Sequence, residues 1–324
     1  MSWFAAVAVA LLTVTTPAPE IERARVLIES GQLDEARAVL EKTAGDPALA
    51  GESLVLLTRV AVLRGDHERG VDLGQRAIEL RPASSEAHYW YAVALRQRMS
   101  QVSKLKAMTM IGDYKEELAT SIRLDPGNLA AREEESGFLL NAPGIAGGDV
   151  DKAKPKIEEL KGLDWRRGML MQVAMLRGEG DSEGAIRALG ELLVRFPEDY
   201  GVRVALALTL QEAGRFKEAD EQLERLLAVE EASVRLSATY QLARSRVLGR
   251  YEQQRAVTLL ADYIARLPAN APDLPPPAAA YWRMGQAHEQ LGQIGKAREC
   301  FEKALALDPD NEQAKKSLKA LPRG

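Results

Sequence analysis

The stretch from Ala278 to Asn311, AAAYWRMGQAHEQLGQIGKARECFEKALALDPDN, decides the fold. Apolar residues recur at helical spacing on both sides of a glycine break, so the stretch reads as two amphipathic helices of about a dozen residues each. Asp308-Pro309 closes the unit, because proline cannot continue a helix. Gly285 and Ala297 are small enough for the paired helices to approach closely, and Phe301 and Leu305 fill the groove to a neighbouring pair. One such pair cannot bury both of its apolar faces alone, so copies of it must stack.

Copies are present along nearly the whole chain. A small residue early in the second helix recurs as Ala36, Gly70, Ala153, Ala185, Ala219, Ala256 and Ala297, with Tyr114 the one large residue in the series. Five residues earlier stand Gly31, Gly65, Gly148, Gly180, Gly214 and Gly292, placed to end a first helix with positive φ. Twelve residues after the marker stand Pro82, Pro126, Pro197, Pro268 and Pro309, so the turn chemistry keeps one phase. The spacing is close to 34 residues and lengthens by ten between Gly70 and Tyr114 and by five between Tyr114 and Ala153. The third unit therefore has long helices, Ser85 to Ser103 and Lys104 to Leu124, and the fourth has a long turn.

With Tyr281, Gly285, His288, Ala297, Phe301, Ala304 and Pro309 at its signature spacing, the last unit resembles the tetratricopeptide repeat, His288 replacing the usual tyrosine. The resemblance implies an all-α, right-handed superhelical solenoid of about eight helix-turn-helix repeats. A Lys-rich helix, Asn311 to Leu321, is suited to capping the exposed apolar end. The expected organisation is a signal peptide over 1–18 and a repeat array over 19–267. Within the array the third repeat (85–128) is extended and the fourth (129–165) has the long turn. A Pro-rich connector and candidate hinge spans 268–277, and the final repeat with its cap spans 278–324.

Aromatic residues make up only 5% of the chain, while the apolar share of 46% suits a sizeable helical core. The net charge of −4 with interspersed signs gives no basic stripe, which argues against a nucleic-acid partner. The apolar run from Trp3 to Val14 resembles a secretory signal peptide and is too short to span a bilayer of about 30 Å. The expectation is therefore an exported, periplasmic protein without a stable membrane span in its mature form, or a cytoplasmic one if the segment is not a signal. Cys300, the single cysteine, reads as a structural thiol and excludes an intramolecular disulfide.

Sites of chemistry are sparse. Asn141 to Lys154, NAPGIAGGDVDKAK, is rich in glycine but matches neither a Walker loop nor a dinucleotide loop. The repeat register makes Gly148 its turn glycine and Asp149 or Asp151 the cap of the next helix. His67, His88 and His288 fall in separate repeats with no metal-ligand spacing. The run Glu133 to Glu135 points in different directions around a helix and reads as a solvated face. No catalytic residue, cofactor or metal is expected.

The family resemblance implies that first helices line a groove and present residues to a protein or peptide partner. Carried onto this chain, it implies Glu52, Val55, Arg59 and Val62, then Glu86, Tyr89, Val93 and Arg96, then Gly201, Val204, Leu208 and Gln211, and last Ala279, Trp282, Gln286 and Glu289. Tyr89 and Trp282 are the candidate anchors, with packing between repeats as their other reading. The lysine and asparagine pattern with which chaperone-binding members hold a C-terminal carboxylate is missing there. The third and fourth repeats, with their GGDxxKA turn, also resemble accessory repeat proteins of bacterial solute-uptake systems. That resemblance implies an apolar small-molecule or lipid site near Tyr89, Met108, Met110 and the insert of Pro143, Gly144 and Ile145, in a groove formed by the third to fifth repeats, where adaptable methionines would make a soft pocket. The expected function is a non-catalytic binding scaffold.

Overall fold

A computed structural model of the chain describes residues 18–322. The signal-like segment lies outside the described residues except for Ala18. Among them are 17 α-helices and no strand, which form eight antiparallel pairs and a terminal helix: α1 (Pro19–Glu29) with α2 (Leu33–Thr43), α3 (Ala50–Arg64) with α4 (His67–Leu80), α5 (Ser85–Met99) with α6 (Lys104–Leu124), α7 (Leu129–Asn141) with α8 (Val150–Leu163), α9 (Trp165–Gly178) with α10 (Ser182–Arg195), α11 (Tyr200–Glu212) with α12 (Phe216–Leu226), α13 (Ala232–Gly249) with α14 (Gln253–Arg266), α15 (Pro277–Gln290) with α16 (Ile294–Leu307), and α17 (Glu312–Ala320). The chain divides into two compact units at Asp164 and Trp165.

In the first unit the core begins with Ile21, Leu40 and Leu56, all fully buried, and continues through Leu95, Tyr114 and Leu118. In the second, Leu189, Leu192, Leu206 and Leu223 form the larger core, and Leu260, Tyr263 and Met284 form the next layer. Each fully buried leucine contributes about 2 kcal/mol of apolar transfer. At the chain's end α17 covers Phe301, with Leu318 and Leu321 packed on that ring. The connector 268–277 is tied to the core by the Tyr263 hydroxyl, which donates to the Pro275 carbonyl at 2.5 Å.

The small markers Ala36, Ala153, Ala185, Ala219, Ala256 and Ala297 are all fully buried. So is Tyr114, whose larger ring stacks on Phe138 at 5.0 Å and whose hydroxyl donates to Glu134 at 3.0 Å. A second device recurs that the sequence pattern did not announce. His88, Arg132, Arg203 and Arg235 each place a side-chain nitrogen at the carbonyl six residues earlier, on Pro82, Pro126, Pro197 and Val229, at 2.5 to 2.9 Å. Each contact fastens the start of a first helix to the turn that precedes it.

Two turns depart from the pattern. The first helix expected to run to Ser103 stops at Met99, because the Ser103 hydroxyl instead accepts from Lys106 N and caps α6. In the fourth repeat Gly147, not Gly148, takes the left-handed conformation, at φ 100°. Gly148 is needed for a different reason. A Cβ there would lie 1.7 Å from the Ala142 carbonyl oxygen, so only glycine allows the insert to fold back on the end of α7.

Candidate functional site

In the first unit α1 packs on α3 and α3 on α5, and in the second α11 packs on α13 and α13 on α15. No pair of second helices packs to a comparable extent. The more closely packed layer lies on the inside of the bend, so first helices line the inner face of each unit.

On the inner face of the first unit Arg25 of α1 reaches Glu52 of α3 at 2.9 Å and Glu86 of α5 at 3.4 Å. Arg59 pairs with Glu29 at 2.6 Å and lies over the Trp90 ring at 5.4 Å. Arg96 pairs at 2.5 Å with Glu134, which also accepts from the Tyr114 hydroxyl. Tyr89 is half-buried edge-on to Trp90 at 4.9 Å. Burial, reinforced by Glu134 and Glu133, pushes its phenol up to about 12. Val93 is buried with Val62 and Ala94, so it belongs to the seam and offers the groove no surface. Val55 is likewise buried. Thus Glu86, Tyr89 and Arg96 share an inner face, with Glu86 and Arg96 held in ion pairs.

The second unit's inner face is built from different chemistry. Val204 and Leu208 are half-buried on α11, one turn apart, in line with Gln211. Gln211 is 4% exposed and donates to the Gln241 carbonyl at 3.0 Å. Arg244 of α13 donates through Nη1 to the Gln211 side-chain oxygen and, at 3.4 Å, to that of Gln241. Arg283 of α15 donates through Nη1 to Gln286 at 2.9 Å and stacks on the Trp282 ring at 4.2 Å. Trp282 donates to Ser317 at 3.1 Å and packs under the terminal helix, so its ring is shared between cap and face. Glu289 is exposed at the end of α15. Sequence reasoning missed Arg244 and Arg283, since neither falls at an implied groove position.

The fourth-repeat insert is not an anion cradle. Pro143 is the N-cap residue of a single 3₁₀ turn, Gly144–Ala146. The amides of Ala146, Gly147, Gly148 and Asp149 donate to carbonyls of Pro143, Gly144, Pro143 and Leu139 at 2.8 to 3.2 Å, leaving none of these four for a phosphate. Asp149 caps α8 by accepting from Asp151 N and Lys152 N. The Lys152 side chain, followed by those amides, holds its carboxyl below the usual range. Ile145 is 81% exposed. Met110 packs around Tyr114, whereas Met108 faces solvent, so the two do not line one pocket.

Cys300 is buried in the core, and burial pushes its thiol up. Among the described residues no group of three His, Cys, Asp or Glu side chains is arranged to hold a metal. No described helix is long and apolar enough to cross a membrane.

Models of the tetratricopeptide repeat match residues 21–85, 176–239 and 278–311. Among solved structures, a tetratricopeptide repeat protein from Parabacteroides merdae is 13% identical, over 93% of this chain and 96% of that one, with a TM-score of 0.51. A thermophilic TPR protein from Thermus thermophilus is 16% identical over 59% and 97%, with a TM-score of 0.52. Yeast Tom70 is 16% identical over 89% and 57%, with a TM-score of 0.59. At such identities the likeness concerns the fold, an all-α solenoid of helical repeats. No curated protein matches the sequence.

Proposed function

Because this chain belongs to the tetratricopeptide repeat family, we propose that it is a non-catalytic scaffold that binds a protein or peptide on the inner faces formed by its first helices. The observation that carries this reading is the packing of first helix on first helix in each unit. That packing sets half-buried Tyr89 in the first unit, and half-buried Val204 and Leu208 in the second, beside polar and charged side chains on the inner face of each unit. Such a surface combines apolar contact area with groups that fix orientation. The signal-like N-terminus supports export to the periplasm.

The test is site-specific photocrosslinking in the source cell. A photoreactive residue replaces Tyr89 or Leu208 on an inner face, or Val194 on α10, which is 87% exposed. The reading expects discrete adducts from the first two positions and none from Val194; the reverse distribution would remove it. N-terminal sequencing of the cell-fractionated protein tests export, which fails if the chain retains Met1 and stays with the cytoplasm.

A further inference from the structure

We propose that the inner face of the second unit is a carboxylate-binding site, in which Arg244 and Arg283 receive the acidic groups of a peptide segment. This rests on the scaffold reading above and adds the chemistry of the ligand.

The two arginines stand on α13 and α15, neighbouring first helices packed on each other. Both are half-buried. Among the described residues the hydrogen bonds of Arg244 go only to the amide oxygens of Gln211 and Gln241, and the side chain engages no carboxylate. For Arg283 the partners among the described residues are Gln286, the Trp282 ring and Tyr240, again without a carboxylate, and its Nε is buried with no hydrogen-bond partner among them. The two cations also act on each other. Burial holds the Arg283 guanidinium below the ordinary arginine value, Tyr240 opposes this, and the like charge of Arg244 adds to it. Arginine stays protonated at neutral pH all the same, so both charges persist.

A half-buried cation that nothing balances is unfavourable, and here two lie close together. An incoming anion relieves both. The geometry favours a carboxylate over a denser anion. Each arginine uses Nη1 on an amide, and for Arg244 this leaves the Nε–Nη2 edge open, two parallel donors that match the two oxygens of a carboxylate. The two guanidinium groups stand on neighbouring helices, α13 and α15, which suits separate carboxylates along an extended segment. Val204 and Leu208, in line with Gln211, offer apolar contact beside the charge, so the fitting ligand is an acidic peptide with an apolar residue near its carboxylates.

The probes are a fluorescein-labelled oligoglutamate peptide, its oligoglutamine counterpart and an oligophosphoserine peptide, titrated against the full chain by fluorescence anisotropy. The expected result is binding of oligoglutamate and not of oligoglutamine, weakening as salt is added. Arg244→Gln and Arg283→Gln should each weaken it roughly tenfold, while Arg37→Gln, on the exposed face of α2, leaves it unchanged. Equal affinity in wild type and both variants, equal binding of oligoglutamine, or preference for phosphoserine would each overturn the proposal. Circular dichroism checks the fold of each variant; should Arg283→Gln unfold, Arg244→Gln decides. Adducts at Leu208 without oligoglutamate binding would leave the scaffold standing and remove the carboxylate site.

Discussion

In the first unit Arg25 bridges Glu52 and Glu86 across α1, α3 and α5, whereas in the second Arg244 and Arg283 reach, among the described residues, only amides, a phenol and an indole ring across α11, α13 and α15. The backbone plan of the two faces is the same. What differs is whether the chain supplies the counter-charge itself. A face whose arginines are all paired is a strut between repeats, while a face with unpaired arginines is one that a ligand can complete. The second unit does not lack acids for the purpose. Arg246, only 2% exposed, has Asp220, Glu224 and Glu252 within 3.0 to 3.2 Å. To bring one of these carboxylates in, the turn before α14 places two residues other than glycine, Arg250 and Glu252, in the left-handed region at φ 56° and 50°. Such conformations cost about 1–3 kcal/mol each and persist only where the surroundings over-determine them.

The largest effect should come from removing a paired arginine that is fully buried. Arg246→Met leaves Asp220, 7% exposed, without its cation, and should cost about 3–5 kcal/mol in chemical denaturation. The loss should depend on pH. Burial already holds the Asp220 carboxyl above the usual range, with Ser245, Arg246 and Tyr251 opposing it, and without Arg246 it rises further. A raised folded-state pKa gives stability that is full below the unfolded value and is lost as pH rises through the folded one. The deficit of Arg246→Met should therefore widen from about pH 4 towards neutrality. A deficit independent of pH would mean that the loss is one of packing and not of charge.

A second contrast concerns the turns. The fourth repeat of the first unit folds an insert on glycine, while the seventh repeat turns on Arg250 and Glu252. Gly148→Ala drives a methyl into the Ala142 carbonyl and should cost roughly 1–3 kcal/mol. Gly144→Ala, where a Cβ meets open space and φ is not positive, should change stability by less than about 0.5 kcal/mol. Equal melting temperatures for the two variants would show that the insert can move away from α7.

How much of this could be read in advance follows the range of the interactions. Small markers, turn glycines and closing prolines act within a few residues of themselves, so the eight pairs, the terminal helix and a carboxylate cap at Asp149 or Asp151 were legible in the sequence, and the structure selects Asp149. The exchange of Gly148 for Gly147 was not, because it depends on how the 3₁₀ turn meets the end of α7. Val93 passed for a groove residue because its position in the repeat is right, yet Val62 from the neighbouring first helix covers it. The unbalanced charge of the second face was hidden for a related reason. Each arginine is ordinary in its own helix, and only the juxtaposition of α11, α13 and α15 shows that neither forms an ion pair with an acid among the described residues.

A smaller loss is expected at the balanced face. Arg25→Met leaves Glu52 and Glu86 facing each other, both partly open to solvent, so about 1 kcal/mol is a fair expectation. Added salt should shrink the difference by screening the remaining carboxylates. If the variant were as stable as wild type at low salt, Arg25 would be a surface residue and not a strut.

Arg283→Met is the matching change at the unbalanced face, and its effect should be no larger than that of Arg25→Met and of opposite sign. Methionine keeps an apolar stem on the Trp282 ring while removing a charge that burial and Arg244 both disfavour. The contacts with Gln286 and with the buried Tyr240 hydroxyl are lost; Gln286 is only partly buried and water can replace it, while the loss at Tyr240 offsets part of the gain. The balance should leave the variant as stable as wild type or more stable by up to about 1 kcal/mol, since exchanging a poorly compensated buried charge for an apolar side chain is often neutral or stabilising. A loss as large as that of Arg25→Met would mean that the fold already balances Arg283, and the contrast between the two faces would disappear. A gain in stability, accompanied by weaker oligoglutamate binding, is what a residue kept for its ligand should give.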